Sequence, residues 1–501
     1  MTVEGQVAVT GEVQCYAVVG KVNAGKSAVL ATLLEEDDDR IIRISPEPGE
    51  TTRCQRLSLV MAGSERLRFI DTPSFQQPIA ALRHIRALHG DAATQPDRAT
   101  LQRFVAECRQ QFPDECRLLE PLLEGAGVVY VLNPAVPLYD SFRAEIEILR
   151  WTGRPRLAVL NSKGGAGRAA HEDTWRAHLG TAFNLVRAFN AHRARFAARR
   201  QLLVALNQIE ETQQGTLEAT LQLLDEEWRQ RREQSAEAML ACIGRAFAWR
   251  ETGRYRDDET SMEKSRERLV EQLRLGYFKH ISALERDCSQ QLLAIHRHHI
   301  MQAQLWRLAA DDFGPDLDLA HADTWRRLGL NRKQLTAAGA TIGAGAGLGV
   351  DSIVLGHALG LPTLAGGIGG GALAFFKGDA LPTLKVGIGD RDIAGGRQLS
   401  LGPPRNPNFG WVLLDSLLLR YRQILDHPHG RREGATLPAP GAHGPAGLVT
   451  DLPADRRKTL TRWFRACLRG RGEGDDGVEL TALHATLDEV EQELTSTHTA
   501  T

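Results

Sequence analysis

The chain of 501 residues is 42% hydrophobic and 25% charged, enough to bury a large core divided among several units, which excludes a disordered polymer. Its 61 basic residues nearly cancel its 62 acidic ones, so no global basic field draws nucleic acid to it, and a nucleic-acid partner is not expected without a local patch. Cys15, Cys54, Cys108, Cys116, Cys242, Cys288 and Cys467 are scattered and lack metal-ligand spacing, which suits reduced thiols. With no basic segment followed by an apolar run near Met1, a cytoplasmic location is expected.

In chain order, the run Val13 to Val19 predicts a buried strand and Ser27 to Leu34 a helix. Between them lies Gly20-Lys21-Val22-Asn23-Ala24-Gly25-Lys26-Ser27, a strand-loop-helix motif that holds the terminal phosphates of a nucleotide. Gly20 and Gly25 let the backbone turn tightly, so that successive N–H groups and the positive end of the helix face an anion. Lys26 is expected to neutralise the β- and γ-phosphates, and the Ser27 hydroxyl is a hard oxygen ligand for Mg²⁺. The nucleotide-binding positions here are Gly20, Asn23, Ala24, Gly25, Lys26, Ser27 and Ala28.

After the acidic run Glu35 to Asp39 comes a Pro/Gly-punctuated loop, Pro48-Gly49-Glu50-Thr51-Thr52-Arg53, in the place of a first switch. A threonine there, Thr52 first and Thr51 second, would set its hydroxyl on Mg²⁺ and its N–H on the γ-phosphate. Arg66 to Asp71 reads as a strand ending in a carboxylate, followed by Thr72-Pro73-Ser74. Asp71 is the expected metal-side carboxylate; the plainer role is a helix N-cap at Asp71 or Ser74. Lys26, Thr52 and Asp71 are thus the catalytic candidates.

These motifs, in this order, resemble the GTPases of the Era and TrmE group, in the translation-factor branch, over about the first 205 residues. Asn190-Ala191-His192 and Trp411-Val412-Leu413-Leu414-Asp415 extend the likeness to a bacterial group of uncharacterised GTPases with a helical C-terminal domain of unknown function. The resemblance implies GTP and GDP as ligands, Mg²⁺ as cofactor, and base contacts at Asn161, Lys163, Asn190 and Ala191. Two departures stand out. Ser74 replaces the glycine of Asp-Thr-Pro-Gly, and Gly164 replaces the carboxylate of Asn-Lys-x-Asp, which predicts relaxed choice of guanine over adenine unless Glu172 or Asp173 substitutes. Phe75 stands where many such hydrolases carry a water-orienting glutamine, with Gln76 and Gln77 beyond it. In the resembling group a hydrophobic residue there accompanies K⁺, liganded by the residue at Asn23; the alternative is that Asn23 caps its own loop.

Strands near 13–19, 55–61, 66–71, 128–133, 156–161 and 184–189 alternate with helices, predicting an α/β fold with a mainly parallel sheet and a large, mostly α-helical C-terminal region. The expected organisation is a phosphate-loop domain over 1–205 with a helical insertion at about 76–124, then an amphipathic helical domain over 206–334. A Gly-rich apolar hairpin over 335–376, a β-hairpin plus helix over 377–433, a linker over 434–450 and a helical tail over 451–501 complete it. The 206–334 region would pack on the nucleotide domain, pair with a second copy or take a protein partner. His296-Arg297-His298-His299 is read as a solvated or interfacial face, since adjacent helix positions point apart. The segment 335–376 holds twelve glycines and one formal charge, Asp351, between Lys333 and Lys377, and reads either as membrane contact or as a glycine-packed soluble hairpin. The functional expectation is a GTP-hydrolysing, membrane-associated switch. The alternatives are a soluble ribosome or RNA assembly GTPase and a scaffold that scarcely hydrolyses.

Overall fold

Three apolar runs, Tyr16 to Val19, Val128 to Leu132 and Leu157 to Leu160, are buried on both sides and so build the centre of a sheet covered on two faces. The computed structural model describes residues 13–37, 54–91, 93–162, 170–210, 214–256, 262–299, 384–391, 396–404, 407–430, 448–450, 452–471 and 477–499. In it, β1 (Gln14–Val19), β2 (Gln55–Met61), β3 (Ser64–Asp71), β4 (Gly127–Leu132), β5 (Arg156–Asn161) and β6 (Leu185–Phe189) form one sheet in the order β2-β3-β1-β4-β5-β6. All pairs are parallel except β2 with β3, which the tight turn at Ala62 and Gly63 joins as a hairpin. The fold class is therefore the expected one, and the six strands lie within a few residues of their predicted places.

The two-residue period of the strands sorts their side chains. Ala17, Val19, Val128, Tyr130, Leu132, Ala158 and Leu160 face one core, and Tyr16, Val18, Val129, Val131, Leu157 and Val159 face the other. The first core is closed by α2 (Pro78–His89), α3 (Arg98–Glu107), α4 (Pro113–Glu124), α5 (Asp140–Trp151) and α6 (Glu172–Leu179). The second is closed by α1 (Lys26–Leu34), α7 (Phe196–Ile209) and the start of α8 (Gln214–Ala248). Each fully buried Val, Leu, Ile or Phe contributes about 1.5–3 kcal/mol, so this double layer fixes strand register firmly.

The chain divides into two units. One holds the described residues up to Trp228 together with Asp426 to Gly430 and Thr499; the other holds the remaining described residues from Arg229 to His498. In the second unit β7 (Glu251–Arg256), β8 (Leu384–Arg391) and β9 (Gly396–Pro404) make a small antiparallel sheet in the order β7-β9-β8. β8 and β9 pair antiparallel within the 377–433 stretch where a β-hairpin is expected, and the helical reading of 206–334 is interrupted by β7. Glu251-Thr252-Gly253-Arg254-Tyr255 pairs with β9, and tertiary pairing overrides local propensity there.

α9 (Met262–Ile295), α10 (Asn408–Asp426), α11 (Ala454–Leu468) and α12 (Val478–Thr499) complete that unit. α10 is buried over Phe409 to Asp415 without a break, because Trp411 meets Phe464 at 5.1 Å and Phe409 meets Phe247 at 5.8 Å. Arg232 of α8 forms ion pairs with Asp488 and Glu491 of α12, both 2.7 Å, and Tyr421 of α10 donates to the same Glu491 at 2.5 Å. The predicted hairpin at 335–376 lies outside the described residues. Among those described, no helix is long and apolar enough to cross a membrane.

Candidate functional site

The loop between β1 and α1 sits where the sheet's middle strands end. Gly20 is required by close approach: a Cβ there would meet the Val131 carbonyl oxygen at 2.1 Å. Gly25, at φ 93, is the N-cap of α1, a backbone state that L side chains rarely adopt, and Asn23 turns the loop at φ 62. Ala24 and Ala28 are buried, Ser27 is half-buried in the first turn of α1, and Asn23 is exposed.

Lys26 is 8% exposed, and its Nζ donates to the Gly20 carbonyl at 3.1 Å and to the Ser74 hydroxyl at 3.0 Å. Burial pushes its pKa down, while the charges of Asp71 and Glu145 push the other way. Asp71 ends β3, paired in register with Val18 of β1, and is buried. The sheet therefore delivers the ammonium and the carboxylate to the same end of adjacent strands. Thr72 fastens the turn beyond, its hydroxyl and N–H both donating to the Val18 carbonyl.

Asn161, the last residue of β5, is fully buried. Its Nδ2 donates to the Ala24 carbonyl at 3.0 Å, and its Oδ1 accepts the Ala191 N–H at 3.0 Å. One side chain thus stitches the phosphate loop to the loop after β6. Asn190 accepts the His192 N–H at 3.0 Å, closing a local turn. Of the predicted site residues, Gly20, Asn23, Ala24, Gly25, Lys26, Ser27, Ala28, Asp71, Asn161, Asn190 and Ala191 are carried by these connected loops and strand ends. Thr51, Thr52, Lys163 and Gly164 lie outside the described residues. The donor set of Ser27 hydroxyl and Asp71 carboxylate is hard oxygen, which fits Mg²⁺ and suits no soft metal.

Ser74, Glu145, Lys21 and Phe75 play parts that the motifs did not show. Ser74, noted as a missing glycine, supplies a hydroxyl to Lys26. Glu145 of α5 lies fully buried behind the loop, 3.8 Å from Lys21 Nζ, and accepts a 2.7 Å bond from Tyr130. Burial raises its pKa to about 7, against the Tyr130 hydrogen bond and the charges of Lys21 and Lys26. Lys21 also donates to Ser141 and stacks its ammonium 4.2 Å over the Phe142 ring. Phe75 is buried in the core that α2 to α4 close, so its ring forms part of the packing.

With this geometry in place, two family models match the chain. One described as a 50S ribosome-binding GTPase matches residues 15–133, and one described as a domain of unknown function, DUF3482, matches residues 176–494. No curated protein matches the chain.

Proposed function

The chain belongs to the DUF3482 family, carried behind a P-loop GTPase domain, and from that premise we propose that it binds GTP and hydrolyses it to GDP and phosphate as a molecular switch. The observation that carries this reading is the buried Lys26 ammonium, held at 3.1 and 3.0 Å between Gly20 and Ser74 beside the positive end of α1. In the Era and TrmE-like mechanism proposed here, the loop amides and Lys26 bind the β- and γ-phosphates. Ser27 and Asp71 would hold Mg²⁺, which when bound neutralises charge on the phosphate oxygens. Lys26 and the amides orient the terminal phosphate, and Ser74 keeps the ammonium aimed at it.

Asn161 supports the base site by tying Ala24 to Ala191. Because Gly164 replaces the guanine-reading carboxylate, ATP is expected to compete measurably with GTP. The Gly-rich segment 335–376 is proposed as the membrane-contacting part of a cytoplasmic protein, a reading supported by its composition and flanking lysines. Hydrolysis of GTP against ATP by the full chain, with and without liposomes, tests the reading. Lys26→Ala is expected to lose GTP affinity by about a hundredfold or more, given the charge-assisted bonds it supplies. Equal, absent affinity for both nucleotides in the unaltered chain would sink the proposal.

A further inference from the structure

The stretch after Asp71 is held at successive residues, at Ser74 by Lys26 of the phosphate loop and beyond it by groups that the nucleotide motifs do not include. Glu115, on α4, is 1% exposed, and its Oε1 accepts the N–H of Gln76 at 2.8 Å and that of Gln77 at 2.6 Å. α2 starts at Pro78 with no side-chain cap from Gln77 and no acidic residue in its first turn. Glu115, 38 residues away from Gln77 in sequence, supplies the negative charge that this helix end lacks. Just upstream, the Phe75 ring is buried in the core shared with Ala81, Ile85, Leu101 and Phe104. Ser74 is bound to Lys26 at 3.0 Å, and its carbonyl accepts from Gln76 Nε2 at 3.3 Å.

We propose that Glu115 is a positioning residue that pins Ser74 to Gln77 in one conformation in every nucleotide state, making this stretch a fixed strut where related GTPases carry a moving second switch. The proposal rests on the GTPase reading for its consequence, though the pinning itself does not. A switch at this place must exchange the hydrogen bonds of its backbone when the γ-phosphate leaves. Here that exchange would strip two N–H groups from a water-excluded carboxylate and draw Phe75 out of its core, and one phosphate contact offers little in return. The pinned stretch keeps the Ser74 hydroxyl within reach of Lys26 and so next to where a terminal phosphate binds. The nucleotide signal then leaves the domain through other elements.

Amide hydrogen exchange of the full-length protein decides this, read over residues 74–77 without nucleotide, with GDP and with a non-hydrolysable GTP analogue. The unaltered chain should show the same protection in all three states, within about threefold. Glu115→Ala should raise exchange by about tenfold or more, while Glu115→Gln, which keeps an acceptor oxygen, should stay within about threefold of the unaltered chain. In the hydrolysis assay, Glu115→Ala should lower kcat with KM unchanged, and Glu115→Gln should rescue it.

A difference above about threefold between the GDP and analogue states of the unaltered chain overturns the proposal, as does unchanged exchange in Glu115→Ala. If no nucleotide binds, the GTPase reading fails instead, and the comparison without nucleotide still decides whether Glu115 pins the stretch. Should Glu115→Ala not fold, the three-state comparison on the unaltered chain and on Glu115→Gln carries the decision.

Discussion

At the scale of single residues, the site depends on polar side chains whose second partner lies far away in sequence. Asn161→Ala removes both of its bonds and leaves the Ala24 carbonyl and Ala191 N–H buried without it. Each orphaned group costs about 1–3 kcal/mol, so nucleotide affinity should fall by at least about tenfold, measurable by titration calorimetry. Asn23 is exposed on a left-handed turn beside these groups. If it ligands K⁺, GTP turnover should be faster in KCl than in NaCl, and Asn23→Ala should erase the difference; equal rates in the two salts refute the cation role. Glu145 gives a pH signature. Its folded pKa of about 7 exceeds its ordinary value of 4.5, so the folded chain keeps a proton that the unfolded chain has released. Stability from this group therefore falls as pH rises from near 4.5 to near 7, by a few kcal/mol at most, and is lowest above that window. Glu145→Gln should flatten part of this slope and melt higher than the unaltered chain at pH 8. Glu285 and Asp415, raised by burial to about 7 and about 6, keep the remainder.

At the scale of elements, what was legible followed from local periodicity and what was not followed from remote contacts. The strands of the first sheet could be read because β4 is apolar at nearly every position and β2 alternates exposed and buried residues from Ser58 to Met61. The phosphate loop could be read because its residues are neighbours in sequence. β7 could not, since Glu251, Gly253 and Arg254 interrupt the strand signal of Thr252 and Tyr255 until β9 pairs with them. Nor could the role of α4, whose Glu115 looks like any helix-surface acid until the fold turns it inward. Phe75 shows the same limit: as a motif position it suggests a lost catalytic glutamine, whereas the fold makes it a core residue of α2 to α4. Phe75→Gln, which brings back a water-orienting amide, should therefore not raise turnover. It should lower stability by about 2–4 kcal/mol, because an apolar site receives an amide, and urea denaturation of the variant reads this directly. A gain in kcat without loss of stability would show that the ring is dispensable and the position catalytic.

At the scale of the whole molecule, the match to DUF3482 begins at residue 176, so β6 and the loop after it belong to the same matched region as the helices that follow. The chain also comes back to the first unit: Asp426 pairs with Arg195, and Gly430 is buried against the loop and helix that would hold a nucleotide. A Cβ on Gly430 would lie 2.6 Å from the Ala191 carbonyl oxygen, 2.9 Å from that of Ala28 and 3.1 Å from the Thr32 hydroxyl. Two of those atoms are backbone, on α1 and on the loop after β6, and neither can yield without moving its element. Gly430→Ala should therefore spread α1 from that loop, cost about 1–3 kcal/mol of stability, and speed nucleotide release by about tenfold. Gly215→Ala in α8, where a Cβ meets nothing within 4 Å, is the matched control and should leave both unchanged or slightly improve stability. Stopped-flow release of a fluorescent GDP analogue separates the outcomes. Faster release from Gly430→Ala alone ties the returning segment to nucleotide retention, whereas identical release from both variants means that Gly430 packs beside the site without controlling it.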